Sequence, residues 1–143
     1  MTAEQARERF AQARIARLAT VAADGRPHLV PVTFAVSGDR IVTAIDGKPK
    51  STVNLRRLAN IEANPLVTLL ADYYDEDWSR LWWARADGEA AVVSEVAAMA
   101  GPVELLTRRY PAYRQNPPPG PVISVQVSAW SGWSALSLPG GAR

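Results

Sequence analysis

Turn signals punctuate this chain at short intervals, and they constrain its fold more than any other feature. Asp24-Gly25-Arg26-Pro27, Ser37-Gly38-Asp39, Asp46-Gly47-Lys48-Pro49 and Asp87-Gly88 each follow or separate segments rich in β-forming residues. Arg17 to Ala22, His28 to Val36 and Arg40 to Ile45 flank the first two turns, which predicts an antiparallel meander of three strands. Leu66 to Tyr73 is a nearly continuous apolar run and reads as a buried strand. Leu81 to Arg85 and Ala90 to Ser94 read as two strands around the turn Asp87-Gly88. Val122 to Val127 alternates clearly as a last strand.

Helical patterns lie between these segments. Thr2 with Gln5 has the form of a capping box, followed by Ala6, Phe10 and Ala13 at helical spacing. Ser51 or Thr52 begins a second helix running to about Glu62, with Asn64-Pro65 as its stop. Glu95 to Tyr110 is a third, with Gly101-Pro102 expected to break or kink it. Gln115 to Gly120 reads as an extended connector. The expected fold is mainly β, within the α+β class: a small barrel of six to seven antiparallel strands with a few peripheral helices. One domain over residues 1–143 is expected, with an N-terminal helix in 1–15 and a flexible tail over 136–143.

Composition narrows the chemistry. At 48% apolar and a net charge of +2, the chain is suited to a packed core rather than to disorder. No run approaches the roughly 20 apolar residues of a membrane span. The polar opening Met1 to Arg9 does not read as a secretory leader, so a cytoplasmic location is expected. Zero cysteines exclude thiol catalysis and Cys-ligated zinc, and one histidine, His28, excludes a His-rich metal cluster. A strand-edge histidine bonded to backbone is the expectation for His28. With no nucleophile elbow and one histidine, hydrolase chemistry is disfavoured, and no metal site is expected.

The charges are unevenly placed. Residues 1–71 hold ten Lys and Arg against six Asp and Glu, whereas residues 72–143 hold six against eight. A pI of about 9.3 by itself suggests nucleic acid, but a local anion site on the first half fits this division better. The only two lysines, Lys48 and Lys50, flank Pro49 at a helix start beside Ser51 and Thr52. Helix N-termini and lysines suit a phosphate, and a solvated basic face, including Arg56 and Arg57, is the competing reading. The run Asp72, Asp75, Glu76 and Asp77 before Trp78 reads as a solvated acidic loop. Adjacent Trp82 and Trp83 point to opposite faces of a strand, one for the core and one for a partner or planar ligand.

These residues, taken in order, resemble a known family. Asp24-Gly25-Arg26-Pro27-His28 through Pro31-Val32, then Lys48-Pro49-Lys50, Asn54-Leu55-Arg56-Arg57 and Asn64-Pro65, are similar to the pyridoxamine 5′-phosphate oxidase-like split β-barrels, which bind flavins. Asp72 to Ser79, Leu81 to Gly88 and Trp130-Ser131-Gly132-Trp133 resemble the coenzyme F420-dependent, actinobacterial branch of that superfamily.

The resemblance implies a homodimer with a deazaflavin or flavin in a groove between subunits. It implies that Lys48, Pro49, Lys50, Ser51 and Thr52 hold the cofactor phosphate. Pro31, Val32 and Thr33, with Thr43, Ala44 and Ile45 on the next strand, would lie along the ring system, and Trp78 near it. Lys48 stands where the family often has arginine. The implied activity is hydride transfer between reduced F420 and a conjugated small molecule, with no nucleic-acid or membrane partner. FMN in place of F420, or a non-catalytic F420-binding or storage role, are the alternatives. If a proton donor is needed, Tyr73, Tyr74 or a bound water are the candidates.

Overall fold

The computed structural model describes residues 1–45 and 52–136. Helix α1, Ala3–Gln12, opens with the predicted capping box: the Gln5 amide donates to the Thr2 hydroxyl at 3.1 Å, and the Thr2 amide to the Gln5 side chain at 2.9 Å. Strands β1 (Ala16–Val21), β2 (Pro27–Val32), β3 (Ala35–Ser37) and β4 (Arg40–Ala44) follow. Then come α2 (Thr52–Ala63), β5 (Leu66–Tyr73), a single 3₁₀ turn at Trp78–Arg80, and β6 (Trp82–Val93). Helices α3 (Val96–Arg109) and α4 (Pro111–Gln115) precede β7 (Val122–Ser134). The mainly-β, split-barrel character expected of the chain is what these elements build.

All seven strands join one antiparallel sheet in the order β2-β1-β5-β6-β7-β4-β3. The three-strand meander therefore does not form. His28 to Val36 divides at Thr33-Phe34 into β2 and β3, which stand at opposite ends of the sheet order. In a flat sheet those ends would be about 29 Å apart, at roughly 4.8 Å per strand step. Two residues reach about 7–10 Å. The sheet must curl until its ends meet, and the Thr33-Phe34 crossover is the covalent closure of the barrel.

Alternation then sorts the side chains. Ala16, Leu18, Val67, Leu69, Ala71, Ala84, Ala86, Ile123 and Val125 point inward and join Phe10 and Phe34 in the main core. Phe10 lies 4.9 Å from Phe34 and 5.5 Å from Trp130, ring centre to ring centre, so α1 is anchored on the closed barrel. Helix α2 contributes Ile61 and Leu58, and its buried Asn60 donates to the buried Thr20 hydroxyl at 3.0 Å. β4 is buried on both faces because α3 covers its outside: Val42 and Ala44 pack with Leu106 and Val122, while Ile41 faces inward.

Three further expectations are corrected. Leu66 to Tyr73 is not buried throughout: Val67, Leu69 and Ala71 face the core, while Leu66 is exposed. Asp87-Gly88 is not a turn between two strands but lies inside the single strand β6, opposite a bulge at Ser128 of β7. A Cβ at Gly88 would stand 2.2 Å from the Gln126 carbonyl oxygen, so glycine is required there by close approach rather than by a reversal. Finally, Gly101-Pro102 does not break the third helix, since Pro102 lies within α3.

Candidate functional site

The barrel-closing crossover carries the first group of expected site residues. Pro31 is exposed at the end of β2, Val32 belongs to the main core, and Thr33 is half-buried. The junction of α3 and α4 holds this segment. The Tyr110 hydroxyl accepts the Phe34 amide at 3.0 Å and lies 3.0 Å from the Phe34 carbonyl and 2.9 Å from that of Arg14. Tyr113 and Thr33 share a hydroxyl–hydroxyl hydrogen bond of 2.8 Å. The two phenol rings meet edge to face at 5.6 Å, and Arg109 donates to the Ala13 carbonyl. Burial pushes the Tyr110 phenol above its ordinary value, opposed by the Phe34 backbone bond and Arg109. It therefore stays protonated and able to bridge.

Thr43, Ala44 and Ile45 form the adjoining wall. All three are buried, and Ile45 donates its amide to the Pro121 carbonyl at 3.0 Å. Within the chain they shape the wall and expose no side chain. Lys48, Pro49, Lys50 and Ser51 lie outside the described residues; Thr52 is the first residue of α2. Helix α2 has no acidic residue in its first turn, Arg56 is exposed, and Arg57 is 8% exposed. The helix therefore turns one arginine to solvent and folds the next against the protein.

Trp78 is apart from the crossover, 69% exposed in the turn after β5. The acidic run before it is a folded loop whose carboxylates accept local donors. Asp75 accepts the Tyr73 hydroxyl at 2.7 Å and the Asp77 amide at 2.9 Å; Asp77 accepts the Ser79 amide at 3.0 Å and its hydroxyl at 2.6 Å. The Asp77 amide, then the Tyr73 hydroxyl, hold Asp75 below the ordinary carboxylate range, and Ser79 does the same for Asp77. The bond to Asp75 raises the Tyr73 phenol in turn, which keeps its proton on the oxygen. Asp72 instead pairs with Arg17 at 2.8 Å. Among the described residues no group of three or more His, Asp or Glu is placed to hold a metal ion.

An open cleft of about 350 Å³ adjoins this loop, walled by Tyr73, Tyr74, Leu81, Trp83, Arg85 and Trp133. Trp83 packs under the Arg85 guanidinium at 5.5 Å, while Trp82 packs on the main core with Arg9 at 5.1 Å. The adjacent tryptophans thus divide as their strand parity requires. The sequence reading missed Tyr110 and Tyr113; their spacing of three across a helix start was the available signal. It also missed Trp133, because β7 runs past Val127 to Ser134 and brings Trp133 opposite Trp83.

Known proteins similar to this chain share this architecture. A profile of the pyridoxamine 5′-phosphate oxidase family matches residues 2–134. The chain belongs to that family. Pyridoxamine 5′-phosphate oxidase-like proteins are a family of flavin-binding oxidoreductases. Among solved structures, a conserved hypothetical protein from Mycobacterium tuberculosis is 22% identical with a TM-score of 0.70, over 94% of this chain and 85% of that one. An FAD-binding protein from Mesorhizobium loti is 17% identical with a TM-score of 0.69, over 92% and 94%. The FAD-binding protein of Mycobacterium smegmatis is 18% identical with a TM-score of 0.62, over 93% and 94%. At these identities the likeness is one of fold. No curated protein matches the chain. Among the described residues no helix is long and apolar enough to cross a membrane.

Proposed function

We propose that the chain is a homodimeric oxidoreductase that uses reduced F420 to reduce a conjugated small molecule, with the cofactor in a groove between subunits. The observation that carries this reading is the start of α2. It follows directly on Lys48-Pro49-Lys50, has no acidic residue in its first turn and turns Arg56 outward. F420 is a polyanion with one flat aromatic end, and a basic helix start beside a strand-built wall suits that shape. The donor set therefore fits a phosphate-bearing cofactor of the flavin type.

In this reading Lys48 and Lys50, with Ser51 and Thr52, hold the phosphate, and Pro31, Val32 and Thr33 with Thr43, Ala44 and Ile45 form the wall along the ring. When bound, the cofactor supplies the hydride. The chain's own residues hold the site: Tyr110 and Tyr113 fix the crossover, and the exposed Trp78, apart from the crossover within one protomer, would meet the ring only across the groove between subunits. Tyr73, Tyr74 or a bound water is the candidate proton donor in this reading, the Tyr73 hydroxyl being engaged by Asp75 at 2.7 Å.

FMN is the second reading, and the FAD-binding proteins among its structural likenesses favour a flavin. Purified protein separates the two. Under the F420 reading it is colourless as isolated, and F420 titration quenches tryptophan emission to saturation. Tight co-purified FMN with no F420 binding overturns it. Binding of F420 without hydride transfer to any conjugated acceptor leaves a binding or storage role.

A further inference from the structure

The hairpin between β1 and β2 meets α2 around a pocket of about 340 Å³, away from the crossover. Arg26 and Pro27 of the hairpin, His28 at the start of β2, and Arg56 and Asn60 of α2 line it, with Asp24 at its rim. Gly25 sits at a φ of 88°, and the Ala22 amide donates to the Arg26 carbonyl at 2.9 Å, so the hairpin holds Arg26 in place. Among the described residues neither Arg26 nor Arg56 forms an ion pair; Asp24 accepts the Arg26 backbone amide at 3.1 Å.

His28 lines the same pocket. Its Nδ1 is buried and has no hydrogen-bond partner, so the expected strand-edge histidine bonded to backbone through this nitrogen is not what the structure contains. A buried polar atom with nothing to bond is uncommon in folded proteins and marks a place where a partner is missing. The residue opposite it on β1 is Thr20, whose hydroxyl already receives Asn60. The charged groups around the imidazole are Asp24 and Arg26 from the turn and Arg56 and Arg57 from α2. Burial first, then the arginines Arg56 and Arg57, hold it below its ordinary value.

We propose that this pocket binds an oxyanion, a phosphate or carboxylate group, through Arg26, His28 and Arg56. The inference shares Arg56 with the observation that carries the cofactor reading, but it uses none of the residues assigned there to the ring or to its phosphate. Guanidinium groups grip oxyanions with paired N–H donors, and the imidazole Nδ1 donates once an acceptor arrives. A bound anion also offsets the arginine charge that keeps His28 neutral. Binding and protonation of His28 are therefore linked, each favouring the other.

The chain has one histidine, so untagged protein gives a single imidazole signal in NMR. Inorganic phosphate is titrated at constant ionic strength against chloride. The expected result is a saturable shift of the His28 signal and an upward move of its titration midpoint that chloride does not reproduce. A shift that never saturates, or one that chloride matches, overturns the site. R26Q/R56Q, checked for folding by circular dichroism, is expected to bind phosphate at least tenfold more weakly; unchanged affinity in the folded variant also overturns it. Competition identifies the source of the oxyanion. If F420 displaces phosphate from His28, the group is the cofactor's tail. If phosphate binds and F420 does not displace it, the site takes a free anion, and the cofactor reading is judged separately by tryptophan quenching.

Discussion

Tyr110 and Phe34 are 76 residues apart in sequence, yet one phenolic oxygen serves both backbone polar groups of Phe34. Phe34 is the second residue of the crossover that closes the barrel, and its ring is in the main core. A buried crossover between two strand ends has no ladder to satisfy its amides, and Tyr110 supplies what the ladder cannot. The bond thus joins three levels: barrel closure, packing of α3, and the position of Thr33 beside the proposed cofactor wall.

Tyr110→Phe keeps the ring and removes the oxygen. It leaves the Phe34 amide without its acceptor, which costs about 1–3 kcal/mol. Thermal unfolding is expected to shift down by several degrees, and any cofactor bound along Pro31 to Thr33 to bind more weakly. Tyr113→Phe removes a hydrogen bond to a half-buried hydroxyl instead, and the smaller loss expected of it provides the comparison.

Two glycines are expected to respond in opposite directions to alanine. At Gly88 a Cβ would meet the Gln126 carbonyl at 2.2 Å, so β6 and β7 must separate at the bulge. Gly88→Ala is expected to destabilise by at least the roughly 1–3 kcal/mol typical of overpacking. Gly101 sits inside α3 with no other part of the protein within 4 Å of a Cβ, and Gly101→Ala is expected to stabilise by less than the roughly 0.5–1 kcal/mol of helix propensity, because the following Pro102 ring crowds a Cβ there. Urea midpoints measured side by side test both signs.

Those glycines also show which parts of the fold local pattern reveals. Capping at Thr2, the α2 start and stop, and the parity of Trp82 and Trp83 are local physics, and they were legible. Asp87-Gly88 was not, because a hairpin and a bulge both favour glycine and differ only in what the neighbouring strand does. The closure at Thr33-Phe34 was hidden for the same reason: β-formers on both sides read as one strand until pairing partners divide them. In the site, the basic α2 start was visible, whereas the Tyr110 clamp and the His28 pocket depend on contacts across the sheet and with distant helices. Lys48, Pro49, Lys50 and Ser51 lie outside the described residues, so the structure does not bear on their expected role.

The loop that presents Trp78 is expected to resist acid. Asp75 and Asp77 have folded pKa values below ordinary, so their contribution to loop order is complete above the unfolded carboxylate value, about 3.9, and is lost as pH falls through the lower folded values. Backbone amide signals of Asp77 and Ser79 should therefore titrate with midpoints below the ordinary carboxylate value. Midpoints at or above the ordinary value contradict the assigned bonds. Ser79→Ala removes the leading cause at Asp77 and is expected to bring that midpoint back up.

The two lysines give the most direct test of the proposed cofactor site. A charge-assisted hydrogen bond contributes about 1.5–3 kcal/mol, because losing it strands an anion that water would otherwise have solvated. Replacing both Lys48 and Lys50 by alanine is expected to weaken cofactor binding by about 2–4 kcal/mol, less than two full contacts because neighbouring losses are not additive. That corresponds to roughly 30-fold to 700-fold in Kd at about 1.4 kcal/mol per decade. Tryptophan quenching by F420 measures it directly, with FMN titrated in parallel. Circular dichroism checks the fold of the double variant. If the double variant retains its affinity, the phosphate is held elsewhere. If instead only one cofactor loses affinity, the lysines distinguish the two cofactor readings.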